Sequence, residues 1–174
     1  MNVKQISPRL AFIGGIILFG ALLRLVPHWP NFTPIAAMAL FGGAYIKKKH
    51  LAFLIPFAAL LISDLFLGFH KWMFAVYISF ALVVMMGMWL KGRVKTGSVL
   101  LATVGSSLLF FIITNFAVWL GSPFYPQNMA GLIESYTLAI PFLNNGILGD
   151  LFFSTVFFGG FYLVQQRVPA LKEA

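Results

Sequence analysis

Residues 10–27 read LAFIGGIILFGALLRLVP, and residues 28–46 continue HWPNFTPIAAMALFGGAYI. The first run carries a single charge, Arg24, and has the length of a bilayer-crossing helix, which takes about 17–25 apolar residues. Pro27, Pro30 and Pro34 follow in quick succession. A helix does not continue through that spacing, because each proline lacks a backbone N–H and pushes the residue before it out of helical conformation. These residues therefore predict a membrane helix, a stiff extended connector and a short second helix. The pattern of apolar runs recurs at 51–69, 72–90, 97–120 and 147–164. The expected fold is all-α and integral to a membrane, a single domain over 1–174 with six transmembrane helices at 10–27, 33–46 and those four runs.

Composition agrees. The chain has 174 residues, 60% apolar and 9% charged, with a mean hydropathy of +0.93; a soluble domain is nearer half apolar and a quarter charged. That excludes a soluble enzyme, a disordered tail and a DNA-binding module. The net charge of +8 invites a nucleic-acid reading, and the placement of the bases removes it. With six spans, Lys4, Arg9, Lys47, Lys48, Lys49, Lys91, Arg93, Lys95, Arg167 and Lys172 share one side, leaving Arg24 and Lys71 on the other. Short loops rich in Lys and Arg stay cytoplasmic, so both termini are expected inside a bacterial inner membrane that the chain crosses several times. Bases spread over loops make no nucleic-acid face. Lys4 and Arg9 ahead of an apolar core imitate a secretory signal, but residues 23–27, LRLVP, make a poor cleavage site, so the run is read as a retained span. Trp29, Trp72, Trp89 and Trp119 fall at span ends, as an aromatic belt would. No internal repeat supports an inverted-repeat transporter. Small residues crowd the second span at Ala36, Ala39, Gly42 and Gly43, and Ala11 and Gly15 form a small-x-x-x-small step on the first.

Polar side chains gather at the outer ends of these spans. Arg24, His28, Trp29 and Asn31 sit at the end of the first span and in the connector after it. Asp64 lies late in the third, with His70 beyond it, and Asn115 lies near the end of the fifth. Tyr136 falls in the long segment 121–146, and Asn144 and Asp150 at the start of the sixth span. An ionisable residue inside a span costs about 2.5–3.5 kcal/mol on insertion scales, so it calls for a partner or a function. Two readings follow for Arg24, Asp64 and Asp150: a structural ion pair of Arg24 with either acid, or a polar cavity open to the outside. The proline-rich connector is either a stiff link or a rigid platform presenting His28, Trp29 and Asn31 to a ring-bearing solute. Segment 121–146 is read as an outer loop holding an interfacial or re-entrant helix that acts as a lid.

The chain has no cysteine, hence no disulfide and no thiolate metal site. Hydrolase, metalloprotease and nucleotide-binding motifs are missing, and Ser106, Ser107 and Ser154 face no obvious base. No catalytic residue, metal or cofactor is expected. Asp64 and Asp150 acting as an aspartyl pair is the enzyme alternative; a non-transporting membrane scaffold or assembly subunit is the structural one.

The block of residues 24–43, RLVPHWPNFTPIAAMALFGG, with Pro56, Asp64, Gly68, Gly131, Tyr136, Ile140-Pro141-Phe142 and Gly149-Asp150-Leu151-Phe152-Phe153, resembles a bacterial membrane family of transport proteins. That family is similar to the substrate-specific S-components of energy-coupling factor (ECF) vitamin transporters and to the related solitary cobalamin transporters. The resemblance implies six helices, cytoplasmic termini and an outward vitamin pocket. It also implies that the connector after the first span and the outer ends of spans three, five and six contribute to that pocket. It implies a small vitamin-like solute as ligand, the lipid bilayer as surroundings, and an ECF energising module as a candidate partner, docked through small residues of the first span. The solitary cobalamin transporters use a pocket cysteine on cobalt, which this chain lacks; His28 or His70 is the chemical substitute it offers.

Overall fold

The computed structural model describes residues 7–172, so Lys4 lies outside the described residues. Six helices follow in chain order: α1 (Pro8–Leu23), α2 (Ile35–Tyr45), α3 (Lys49–Leu67), α4 (Met73–Trp89), α5 (Thr96–Gly121) and α6 (Met129–Arg167). A 3-10 turn, Pro169–Leu171, follows α6. The described residues contain no strand. Helices α3, α5 and α6 are long and apolar enough to cross a membrane, and α1, α2 and α4 are shorter apolar helices. At 1.5 Å per residue α5 spans about 39 Å, past the roughly 30 Å of a hydrocarbon core. The outer surface carries large apolar side chains such as Leu101 and Phe66, which are 78% and 74% exposed.

Helix α2 is the centre. Every residue from Ala36 to Ala44 is buried, so it has no solvent face, and the other helices close around it. What lets them close is the absence of side chains at the contacts. A Cβ on Gly43 would sit 2.3 Å from Val84 O, and one on Gly87 would sit 2.4 Å from Leu40 O. The α2 and α4 backbones therefore touch directly. Gly42 likewise gives way to Pro56, whose ring occupies the place of its Cβ. Toward the far end of α2, Phe41 and Tyr45 join Phe158 and Phe161 of α6 in an aromatic cluster, edge-to-face but for the tilted Tyr45–Phe158 pair.

The bundle has two unlike ends. At one, Arg9 donates to Leu171 O (2.7 Å) and lies over the Tyr45 and Phe161 rings, and Lys91 reaches Lys47 O. The basic loop residues belong to this end. At the other, Lys71 reaches Gly121 O, and Asn145 donates to Pro30 O.

Two sequence expectations are corrected here. Segment 121–146 is not a loop: α5 runs to Gly121, a short turn follows, and α6 begins at Met129. Asn128 caps α6 by accepting from Gly131 N–H (2.9 Å). Gly131, Ser135 and Ala139, spaced four apart and all buried, form a smooth stripe that supports the helix through a stretch too polar to register as a span. Pro141 lies inside the helix, which membrane helices tolerate when neighbours absorb the lost hydrogen bond. Near its end, residues Thr155–Gly159 form a π-helical turn. The proline-rich connector, in turn, is not extended. Phe32 N–H bonds Trp29 O (3.0 Å), and Asn31 has φ +62°. Pro30 and Asn31 thus fill the two central places of a type II turn, where proline fixes φ and asparagine tolerates the left-handed region.

Candidate functional site

A cavity of about 500 Å³ opens at the end of the bundle away from the basic loops, a size suited to a small organic molecule. Every helix contributes. Arg24 caps α1; His28, Asn31 and Thr33 come from the connector; Asp64 comes from the last turns of α3. Trp72, at the start of α4, and Phe110, Phe111 and Phe142 supply aromatic walls. Ser107, Thr114 and Asn115 project from α5. On α6, Phe142, Gly146 and Asp150 recur every four residues, so one helical face borders the cavity over two turns.

The two acids are held differently. Arg24 Nη1 lies 2.8 Å from Asp64 Oδ1 and also donates to Ser63 Oγ. Tyr77 OH donates to Asp64 Oδ2 (2.9 Å). Asp64, 5% exposed, is thus neutralised by a cation and hydrogen-bonded on both oxygens. Asp150, 7% exposed, receives, among the described residues, only Ser107 Oγ, at 2.6 Å on Oδ2. Below it, Thr103 Oγ1 donates to Ser154 Oγ (3.0 Å), continuing a buried polar seam between α5 and α6. Among the described residues no three metal-ligating side chains cluster.

The connector is fastened over this arrangement. Phe32 packs its ring against Phe152 and Phe153, and Gly149 leaves room for the Phe32 backbone 3.0 Å from where a Cβ would stand. His28 Nδ1 lies 2.6 Å from Val26 O. A carbonyl only accepts, so Nδ1 is the donor in this contact.

A family model described as a family of unknown function, DUF6580, matches residues 4–171. The chain belongs to the DUF6580 family. Neither a curated protein nor a solved structure matches it.

In this DUF6580 chain the structure brings together Arg24, His28, Asn31, Asp64, His70, Asn115 and Asp150 around one cavity. Trp29, Tyr136 and Asn144 are not among its lining residues, and each has a local reason. Trp29 is 70% exposed because the turn at Pro30 swings it outward, edge-on to Phe32. Tyr136 spends its hydroxyl on Ile112 O (2.6 Å) and its ring on Phe111, tying α6 to α5. Asn144 falls on the exposed face of α6 once that helix is continuous. Sequence reasoning missed Trp72, which it assigned to a belt; it borders the cavity and rests against Gly121. It also missed Ser107, whose acceptor is Asp150. The signal was present in the spacing of Thr103, Ser106 and Ser107 on one helix, facing an acid on the next.

Proposed function

We propose that this DUF6580 chain is a multi-pass protein of the bacterial inner membrane that captures a small, vitamin-like solute from outside for uptake, as S-component-like proteins do. It has six spans and both termini in the cytoplasm. The observation that carries the proposal is the cavity itself. An oily bundle spends two buried carboxylates, an arginine, two histidines and two asparagines on one recess at one end. Burying such groups is costly unless a partner or a guest satisfies them. Three long apolar helices and an apolar outer surface support the membrane setting. The basic loops at the opposite end support cytoplasmic termini. The ECF module is the energising partner proposed, with ATP coupling supplied by that separate chain.

Of the alternatives, the scaffold reading draws on the Arg24–Asp64 ion pair, which locks α1 to α3. It predicts a closed end with Arg24 clamped between both acids. Here Arg24 serves Asp64, and Asp150 turns to Ser107, which favours a cavity that keeps an acid for its occupant. For the aspartyl-enzyme alternative, the two carboxylates are committed to different neighbours rather than to each other.

A thermal-shift screen of the purified protein against water-soluble vitamins tests capture. A true ligand at about 100 times its dissociation constant adds roughly 2.7 kcal/mol of stability. The expected result is a raised melting temperature in the wild type and a smaller rise in His28→Ala. His28 is exposed, so that variant keeps the fold. If no solute stabilises the wild type beyond His28→Ala and Asp64→Asn, the uptake proposal fails.

A further inference from the structure

We infer that the solute taken by this cavity carries a positively charged nitrogen group on a flat, ring-sized body, with Asp150 as its counter-charge. The inference rests on the capture reading above and adds the chemical class of the ligand.

Three observations lead to it. First, among the described residues Asp150 has one neutral donor and no ion-pair partner. Among the described residues Arg24 is the one guanidinium bordering the cavity, and its Nη1 is already on Asp64, Ser63 and Leu60 O. Second, Ser107 donates to Oδ2, and among the described residues no group donates to Oδ1. It is also not among the buried side-chain atoms that are sealed and unsatisfied. An ionised carboxylate has acceptor sites on both oxygens, and Asp150 borders the cavity. Third, the cavity that Asp150 borders has aromatic walls, with Phe110 and Phe111 one turn along α5 from Ser107 and Phe142 two turns along α6 from Asp150. Aromatic faces attract cations and repel anions. A neutral vitamin would bring no counter-charge to Asp150, and an anionic one would bring a like charge.

The test has a ligand-free arm and a ligand arm. In the absence of any solute, Asp150→Asn keeps the shape and the bond from Ser107 and removes the ionisable carboxyl group. With no ion pair to lose, the variant is expected to melt at or above the wild-type temperature. If it melts well below, as loss of a paired acid would, a protein group already balances Asp150 and the inference is overturned. In the ligand arm the probes are benzamidinium, benzamide and benzoate at equal millimolar concentration. They share a shape and differ in charge. Benzamidinium is expected to bind wild type about tenfold or more tightly than benzamide, a difference of roughly 1.4 kcal/mol, with parity in Asp150→Asn and no response to benzoate. Equal stabilisation by benzamide or benzoate overturns the inference. So does full reproduction of the effect by sodium chloride over potassium chloride, which would make a metal ion the counter-charge. If the vitamin screen yields a neutral or anionic ligand sensitive to His28→Ala, capture stands and the charge assignment falls. If the vitamin screen and the three probes are all without effect, both fall.

Discussion

Gly43→Ala is expected to lower the melting temperature of the purified protein by about 6–12 °C, the equivalent of roughly 3 kcal/mol. Two effects oppose each other at this site. Alanine improves helix propensity over glycine by about 0.8–1.0 kcal/mol, which alone would stabilise α2. Against it, the new methyl would lie 2.3 Å from Val84 O, 2.8 Å from Met88 N and 2.9 Å from the Gly87 carbonyl carbon. All three are backbone atoms, so no rotamer change relieves them and α2 and α4 must separate. Since α2 is buried on all sides, separation from α4 disturbs its packing against the rest of the bundle, and the clash outweighs the propensity gain. Gly15→Ala is the matched control. Nothing lies within 4 Å of a Cβ there, so the same substitution is expected to be neutral or to stabilise by up to about 1 kcal/mol. Fluorescence-monitored melting in detergent reads both. A Gly43→Ala protein melting within a degree or two of wild type would mean that the α2–α4 contact is looser than its glycines imply.

That contact also marks how far the sequence could be read. Gly42 and Gly43 in an apolar run announced close packing, but a run of small residues does not name its partner, and Gly87 gave no sign of being the other half. The all-helical class and the apolar runs were legible because apolar length is a strong signal. The start of α6 was not, because Asn144, Asn145 and Gly146 depress hydropathy just where the helix borders a cavity. A helix that lines a polar recess necessarily loses the apolar signature by which membrane helices are found. The same cause hid Ser107: a serine reads as neutral until its acceptor is known. Seven of the ten proposed binding residues did line the cavity, since charged and amide groups in an oily chain have few places to go. The three that did not, Trp29, Tyr136 and Asn144, were placed by depth along a span. Depth says nothing about which side of a turn or helix a residue faces.

Arg24→Met is expected to cost about 3–5 kcal/mol, as removal of one partner from a buried ion pair does. The loss would leave Asp64, 5% exposed, with only the Tyr77 hydroxyl, a neutral donor that cannot balance a charge in low dielectric. Asp64→Leu is expected to be comparably damaging, because Arg24, 9% exposed, would keep Ser63 and Leu60 O as neutral acceptors but no anion. The double variant Arg24→Met/Asp64→Leu removes both charges at once and is expected to return to within about 1 kcal/mol of wild type. A coupling energy near the size of the single losses is therefore the signature of a true buried pair; singles costing under about 1 kcal/mol would describe a solvent-screened surface pair instead. The double variant also separates the two roles of these residues. If the pair only fastens α1 to α3, the refastened protein keeps its response to a stabilising solute. If Arg24 and Asp64 also meet the solute, the double variant folds and melts like wild type yet no longer responds. That outcome is the one expected, because both side chains border the cavity as well as each other.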